Sequence, residues 1–507
     1  MPLSRSEGSS AFQPLSKRIK FMDIHLLPAV EIRRRFVEGE LSAEEITQAF
    51  LHRIDEYDKE IQSLVTVFHE RALEKARALD QKKANGEPLG RLAAIPVIVK
   101  DNIHVRGETT TCSSKFLTNY TAPFDATVTQ LIEKEDGILL GKANLDEFAM
   151  GGTTENSALF PTKNPWDTSR SPGGSSGGSA ASVAARFAPL SLGSDTGGSV
   201  RLPASYCGLV GFKPTYGRVS RYGLVAFGSS LDQIGPLATN VKDAALLMEV
   251  IGKHCEYDST SLPTPSEEYL DQLESRSDLK GLKVGIPRSL LKDLSGEPKR
   301  LFEESVQTLE KLGATTTEVD LDLMRYSIAM YYILATAEAS TNLARFDGVR
   351  YGQRSKEAQT LDEVYTLSKE EGYGDEVKRR ILLGTYVLSA GYQDAYYKKA
   401  QKVRTRLIEQ FKKAFEAADI LALPVVANVA PKLDSYGDPL SMYLQDLFTT
   451  AANLAGVPAI SLPAGLTDEK LPFGLQLIGP QKADRFVFEV AYQFEKECSL
   501  KECPKIA

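Results

Sequence analysis

The chain has 507 residues, of which 42% are hydrophobic and 25% are charged; these values are typical of globular proteins and exclude fibrous and largely disordered classes. Its 60 basic and 67 acidic residues give a formal net charge of −7, which argues against non-specific binding to nucleic acid or to an anionic membrane. The five cysteines form no CxxC pair, so we expect a reducing compartment without a disulfide framework. The sequence contains no run of roughly 18 apolar residues, so we predict no membrane span. It also contains no HExxH motif and no Cys/His cluster, so we predict no metal site.

Residues 1–21 are rich in serine and mildly basic. This composition is compatible with an organelle transit peptide, with translation from an upstream start codon or with a disordered tail. We predict one folded domain over residues 22–507, with residues 1–21 as a disordered extension or as a segment before an alternative start. The protein is then expected in the bacterial cytoplasm, or in an organelle matrix if residues 1–21 are a transit peptide.

Helical and strand patterns alternate along the rest of the chain. Ser42 and Glu45 form a capping box that begins a helix, and a second helix is predicted between Pro298 and Gly313. Short apolar runs between the helical patterns predict strands at 93–100, 137–141, 189–195, 282–287 and 420–426. This alternation predicts an α/β fold with one large, mostly buried sheet.

The most unusual stretch is the glycine- and serine-rich segment 171–205, which contains PGGSSGGSAA and GSDTGGSVR. Such tracts are usually flexible linkers. Here, however, an apolar helix-and-strand pattern follows directly, and a second glycine pair, Gly197 and Gly198, comes after the strand, so we predict backbone packed tightly around a site. The segment matches no phosphate-binding loop, dinucleotide fingerprint or G-x-S-x-G elbow, which leaves nucleophilic catalysis by a serine.

A serine nucleophile needs a base that removes its proton. Histidine is the usual base, but the chain has five histidines, and only His104 lies in a suggestive setting. Lys100 is the other candidate, because it ends the apolar run AAIPVIV and burial lowers the pKa of a lysine from its usual value of about 10.4. A purely structural alternative is a salt bridge between Lys100 and Asp101.

The motifs VIVKDN, PGGSSGGSAA and GSDTGGSVR, in this order, resemble those of the amidase signature family, and the resemblance extends from Met22 to the C-terminus. It implies a single large mixed sheet covered by helices on both faces. It also implies a Ser–cis-Ser–Lys triad, with Ser199 as the nucleophile, Ser175 as the bridging serine on a cis peptide bond and Lys100 as the base. The implied donors of the oxyanion hole are the backbone N–H groups around Thr196, Gly197 and Gly198.

Four further stretches narrow the resemblance to the glutamine-hydrolysing A subunits of tRNA-dependent amidotransferases. These stretches are 146–157, 213–236, 337–352 and 396–405. The resemblance implies three glutamine-binding residues, Tyr331, Arg380 and Asp446. An arginine can clamp the α-carboxylate of glutamine, and an aspartate can pair with its α-ammonium group. Arg379 is the adjacent alternative for the carboxylate.

An enzyme of this kind hydrolyses glutamine and passes the ammonia to a partner, which amidates Glu-tRNA(Gln), with Asp-tRNA(Asn) as an open alternative. The resemblance implies a heterotrimer with B and C subunits, tRNA contacts mainly through the partner subunit, and ATP and magnesium bound there, with no cofactor on this chain. Two other functions stay open. One is a free-standing amidase for other small amides, and the other is a non-catalytic assembly or RNA-binding subunit, against which the acidic balance argues.

Overall fold

A computed structural model of the chain describes residues 21–435, 439–500 and 502–506. Residues 1–20 lie outside these ranges. The predicted extension over residues 1–21 and the domain boundary at residue 22 therefore stay predictions. None of the helices in the described ranges is long and apolar enough to cross a membrane.

Within the described residues, eleven strands form one sheet in the order β1-β3-β2-β4-β6-β5-β10-β11-β9-β7-β8. β2 is parallel to β3 and β4, and β7 is parallel to β8 and β9. The remaining neighbours are antiparallel, which confirms the predicted α/β fold with one large mixed sheet. The strands are β1 Leu64–Val67, β2 Pro96–Lys100, β3 Ile138–Ala143, β4 Leu190–Asp195, β5 Val210–Lys213, β6 Gln233–Ala238, β7 Lys283–Ile286, β8 Thr315–Glu318, β9 Ile420–Pro424, β10 Ala459–Leu466 and β11 Pro472–Ile478.

Helices surround this sheet and cover both of its faces. Side chains alternate between the two faces of a strand, yet β2, β3, β4 and β6 are buried along their whole length, so neither face meets solvent there. The described helices are α1 Ala29–Glu38, α2 Ala43–Ile61, α3 His69–Ala84, α4 Thr127–Lys134, α5 Gly177–Ala184, α6 Arg201–Tyr206, α7 Val241–Ile251, α8 Gly296–Lys311, α9 Ser327–Asn342, α10 Leu361–Gly372, α11 Asp375–Leu388, α12 Tyr397–Ala417, α13 Pro439–Tyr443, α14 Thr450–Ala455 and α15 Asp484–Glu497.

The elements predicted from the sequence are present with small shifts of their ends. The capping box at Ser42 and Glu45 begins α2. The second predicted helix, α8, begins at Gly296, so Pro298 lies within its first turn, where a missing N–H breaks no helical hydrogen bond. The five predicted strands are β2, β3, β4, β7 and β9. Of these, β2 begins only at Pro96, because a turn occupies residues 91–94.

The order of the strands brings the serine-rich loops to the end of β2. Lys100 is the last residue of β2, and the parallel neighbour β4 leads directly into Gly197, Gly198 and Ser199. The carboxyl ends of parallel strands meet at one edge of a sheet, which is where sites form in α/β folds. The first glycine–serine tract is no linker, since every residue from 171 to 185 is buried.

Candidate active site

Lys100 lies at the centre of a hydrogen-bonded group that we call the lysine network, made of Lys100, Ser175, Ser176 and Ser194. Its Nζ atom is 2.7 Å from Ser175 Oγ, 2.8 Å from Ser176 Oγ and 3.0 Å from Ser194 Oγ. All four side chains are buried. Within the described residues, the amine therefore contacts three hydroxyl groups and no carboxylate.

Burial changes the acidity of this amine. Desolvation lowers the pKa of Lys100 from 10.5 to about 7, although the charges of Asp146 and Asp195 partly oppose the shift. A large fraction of Lys100 is then neutral near pH 7 and has a lone pair that can accept a proton. This property is what a serine hydrolase requires of its base.

The salt-bridge alternative for Lys100 is wrong. Asp101 Oδ1 instead accepts a hydrogen bond from Lys142 Nζ at 2.8 Å, and both of these side chains are buried. Lys142 lies on β3, the strand beside β2. Nothing in the local sequence around Lys100 indicates this partner, because the pairing depends on which strands are neighbours.

The structure places Ser175 beside Lys100, and its role as the bridging serine stays a prediction. The peptide bond between Gly174 and Ser175 is cis, and the Ser175 hydroxyl contacts Lys100. The neighbouring Ser176 was not predicted from the sequence. Its hydroxyl donates to the carbonyl of Ser194 at 3.1 Å, and the Ser194 N–H donates back to Ser176 Oγ at 3.2 Å. These two bonds fix the glycine–serine tract to the end of β4.

Ser199 lies at the end of the loop that follows β4, next to the lysine network. It is 8% exposed, whereas Ser175 is completely buried, so of these two serines Ser199 is the one that solvent reaches. Its carbonyl accepts a hydrogen bond from the Ser176 N–H at 3.2 Å. Among the described residues its hydroxyl makes no hydrogen bond, so the contact between Ser175 and Ser199 that a triad requires is not formed here.

The backbone donors predicted for the oxyanion hole differ from one another. The Gly198 N–H donates to Asp195 Oδ1 at 2.8 Å and is therefore already engaged. The Gly197 N–H has no partner in the part of the chain that the structure describes. Thr196 is held by its side chain, which donates to Asp232 Oδ1 at 2.6 Å. Gly197 also needs to be a glycine, because a Cβ there would lie 2.7 Å from the Tyr331 ring.

Asp195 is a second centre of the site that the sequence did not reveal. Besides the Gly198 N–H, it binds the Arg201 guanidinium through both oxygens at 3.0 Å and accepts from Asn453 Nδ2 at 2.8 Å. Burial raises the pKa of Asp195, but Arg201 outweighs it and holds the pKa at about 2. A permanently charged carboxylate therefore fixes the loop that carries Ser199.

Arg380 lies on α11 among aromatic rings. Its guanidinium carbon is 5.1 Å from the ring centre of Tyr332, 5.4 Å from that of Tyr443 and 5.6 Å from that of Phe227. Its Nε donates to Glu376 Oε1 at 2.7 Å, while the two terminal nitrogens have no hydrogen-bond partner among the described residues. The guanidinium can therefore still bind a carboxylate with both terminal nitrogens.

The choice between the two adjacent arginines is clear from their positions. The side chain of Arg379 is 48% exposed, whereas that of Arg380 is 3% exposed and lies among the rings. Arg379 makes an ion pair with Glu376 at the surface. Glu376 precedes Arg379 by three residues and Arg380 by four. Both spacings are typical of helical ion pairs, so the spacing alone does not indicate which arginine points inward.

Asp446 and Tyr331 complete a set made of Tyr331, Arg380 and Asp446, which we call the glutamine pocket after the role that the resemblance implies for it. The Asp446 carboxylate accepts no hydrogen bond from any described residue. Burial raises the pKa of Asp446 to about 7, and the positive charge of Arg380 partly offsets this rise. Tyr331 packs against Gly197 and so joins the pocket to the loop of Ser199. The structure thus brings all three predicted residues to one place.

His104 is not part of this arrangement. Its side chain makes no hydrogen bond to any serine that the structure describes, and burial lowers its pKa to about 4. Lys100 is therefore the only one of the two candidate bases that contacts a serine hydroxyl.

Comparisons with known proteins agree with these motifs. A sequence model of the amidase family matches residues 45–488. The A subunit of the glutamyl-tRNA(Gln) amidotransferase of Protochlamydia amoebophila is 59% identical over 472 residues, which are 93% of this chain and 96% of that protein. The crystal structure of the corresponding A subunit from Thermotoga maritima has a TM-score of 0.79 at 40% identity and covers 96% of this chain and 99% of that chain. A structure described as an unexpected vestigial protein complex that reveals the evolutionary origins of an s-triazine catabolic enzyme has a TM-score of 0.82 at 30% identity, over 94% of this chain and 100% of that chain.

Proposed function

Because the chain belongs to the amidase family, as the match over residues 45–488 shows, we propose that it is the glutamine-hydrolysing subunit of a glutamyl-tRNA(Gln) amidotransferase. Its similarity to the A subunits of Protochlamydia amoebophila and Thermotoga maritima supports this assignment. The observation that carries the proposed chemistry is the 2.7 Å contact between Lys100 Nζ and Ser175 Oγ, beside a Ser199 that substrate can reach.

The proposed reaction begins with neutral Lys100. It takes a proton from Ser175, which takes one from Ser199, and Ser199 Oγ attacks the amide carbon of the substrate. Return of the protons in the reverse direction expels ammonia and leaves an acyl-enzyme, which water hydrolyses to glutamate. The missing contact between Ser175 and Ser199 is compatible with this scheme, because such contacts often tighten only when substrate binds.

The oxyanion that forms during the attack needs a donor already in place. We assign this role to the Gly197 N–H, which has no other partner among the described residues. Thr196 remains a proposed second donor. Gly198 contributes indirectly, because its bond to Asp195 fixes the loop.

Glutamine is the substrate that the pocket fits best. Arg380 would bind the α-carboxylate through its terminal nitrogens and Asp446 the α-ammonium group, so the two charged groups of the pocket match the two charges of an amino acid. Tyr331 would pack beside the side chain that enters toward Ser199. An amide without these two charges would leave both groups unsatisfied.

We propose that the chain acts in a heterotrimer with B and C subunits in the bacterial cytoplasm. Ammonia would pass to the partner subunit, which would bind the tRNA, ATP and magnesium. No cofactor takes part in the proposed steps on this chain, because the lysine network supplies both the proton acceptor and the proton donor.

The test is glutamine hydrolysis by the chain assembled with its partner subunits. We expect Ser199→Ala and Lys100→Ala to lower kcat by at least about 10³-fold. Ser191→Ala is the matched control, because Ser191 is buried on β4, the strand that leads to Ser199, and its hydroxyl has no partner among the described residues. Full activity of either triad variant would refute the proposed chemistry. Faster turnover of aryl or aliphatic amides than of glutamine would identify a free-standing amidase instead.

A further inference from the structure

A second cavity lies apart from the lysine network and the glutamine pocket, and we call it the His104 groove. Its volume is about 560 Å³, which is ample for several side chains. It is bounded by the segment after β2, by residues 223–226 and by the end of α9 with the loop that follows. The lining residues are His104, Leu117, Tyr120, Phe124, Gly223–Ala226, Thr341, Asn342, Ala344–Phe346, Arg350 and Tyr351.

His104 differs from the other residues that line the groove in having an unpaired imidazole ring. Its side chain is 7% exposed, and neither ring nitrogen has a hydrogen-bond partner among the described residues. Both ring nitrogens are buried from solvent, so an occupant of the groove would meet the carbon atoms of this ring. The lowered pKa keeps the imidazole neutral at pH 7, so this part of the groove is uncharged.

The inside of the groove is aromatic. Phe124 packs against His104 with ring centres 5.0 Å apart, and Phe346 packs against Tyr351 with ring centres 6.2 Å apart. Such rings favour an apolar or aromatic side chain as the part of an occupant that enters the groove.

The rim of the groove is basic. Arg345 and Arg350 are exposed and line the groove, and no carboxylate is among the described lining residues. Arg350 Nε lies 3.5 Å from Asp347 outside the groove, and its two terminal nitrogens have no hydrogen-bond partner among the described residues. Acidic residues on either side of the apolar anchor would complement this rim.

The position of the groove along the sequence points to a partner subunit as the source of the occupant. Most of the lining belongs to 213–236 and 337–352, two of the stretches on which the resemblance to the A subunits rests. The remaining lining belongs to the segment 104–124, which follows the strand of Lys100. A free-standing amidase needs only the triad and a substrate pocket, whereas a member of a complex needs a docking surface as well.

We propose that the His104 groove docks a peptide segment of a partner subunit, with an apolar anchor inside and carboxylates on Arg345 and Arg350. This inference rests on the proposed function, because it requires that the chain works with partner subunits. The groove is separate from the glutamine pocket, although residues 223–226 lead into Phe227, which packs against Arg380.

The test measures the affinity between this full-length chain and each purified partner subunit from the same organism. We expect the double variant Arg345→Glu and Arg350→Glu to weaken the binding of one partner by at least about 30-fold, and the wild-type affinity to fall with rising salt. Ala344→Trp, which fills the groove at an exposed position, should weaken the same interaction without a change of surface charge. Arg288→Glu with Arg300→Glu is the matched control, because these exposed arginines lie on the distant α8 side.

The possible outcomes separate the two proposals. Unchanged binding of both partners by the folded charge-reversal and Ala344→Trp variants would overturn the docking site, even if the complex hydrolyses glutamine. A wild-type complex that forms but does not hydrolyse glutamine would overturn the proposed function and leave the docking measurement valid. A homodimer of this chain that the same variants dissociate, or a small ligand that protects the groove, would also overturn the partner assignment.

Discussion

The lysine network and the glutamine pocket lie close together but differ in whether their polar groups have hydrogen-bond partners within the chain. In the lysine network, Lys100 Nζ contacts three hydroxyl groups within 3.0 Å, so its hydrogen bonds are complete within the chain. In the glutamine pocket, the terminal nitrogens of Arg380 and the carboxylate of Asp446 have no hydrogen-bond partners among the described residues. The proposed base is thus preorganised by the fold, whereas the proposed substrate pocket keeps polar groups that a substrate would complete.

This difference separates the expected effects of substitutions. A change in the lysine network should alter the chemical step and its pH dependence, because it acts on a proton acceptor. A change in the glutamine pocket should act on substrate binding and on discrimination between amides, because it removes a partner of the substrate.

The largest effect is expected for Lys100→Arg. A guanidinium cannot be deprotonated in a protein, so we expect kcat to fall by at least about 10³-fold. For the wild-type enzyme, Lys100 must be neutral, so kcat/KM should decline as the pH falls through the pKa of about 7. A pH–rate profile of glutamine hydrolysis measures both. Retained activity of Lys100→Arg, or a rate independent of pH between about 5 and 8, would place the base elsewhere.

The next effect is expected for Arg380→Met. Loss of the carboxylate partner should lower kcat/KM for glutamine by about 10²- to 10³-fold. Arg379→Met is the matched control on the same helix, because its side chain is 48% exposed. Steady-state kinetics with glutamine and with an amide that lacks the α-carboxylate distinguish the roles. If Arg379→Met were the more damaging change, the alternative assignment would be correct.

A smaller effect is expected for Asp446→Asn, which should lower kcat/KM for glutamine by about 30-fold. Burial raises the pKa of Asp446 to about 7, so the free carboxyl becomes protonated below that pH and loses its attraction for the ammonium group. The KM of the wild-type enzyme should therefore rise as the pH falls below about 7, and Asp446→Asn should abolish this rise. An unchanged pH dependence of KM in the variant would assign the ammonium group to another partner.

The smallest effect is expected for Asn102→Asp, which probes the border of the lysine network. Asn102 Nδ2 donates to Ser194 Oγ at 3.0 Å, and that hydroxyl contacts Lys100. A carboxylate in this place favours the charged form of the Lys100 amine. It should raise the apparent pKa on the acidic side of the pH–rate profile by about one unit, which lowers kcat/KM at pH 6 roughly tenfold. Asn102→Ala removes the donor without adding charge and should leave this apparent pKa unchanged. An unchanged apparent pKa in Asn102→Asp would show that a charge at this position does not affect Lys100.

The sequence predicted the parts of the fold that depend on local pattern. The apolar runs of β2 and β9 and the capping box of α2 were found because burial and capping act on neighbouring residues. β8, with the sequence TTTE, and β10, which contains Pro463 and Gly465, were not predicted, since their pairing in the sheet overrides a weak local preference.

The site divides in the same way. Lys100 was a candidate from its place at the end of an apolar run, and the motifs supplied Ser175 and Ser199. The contacts of Lys100 with Ser194 and of Asp101 with Lys142 could not be predicted, because they depend on which strands are neighbours. No short-range pattern contains that information.

The bonds around Asp195 have a consequence for the order in which the protein becomes active during synthesis. Asn453 binds the Asp195 carboxylate, the Thr449 hydroxyl donates to the carbonyl of Gly197 at 2.6 Å, and Gln476 accepts from Arg201. A nascent chain that has not yet extended past residue 476 lacks the full set of these supports, although it already contains Lys100, Ser175 and Ser199. The loop that carries Ser199 can therefore reach its final geometry only near the end of translation, when the C-terminal strands have left the ribosome.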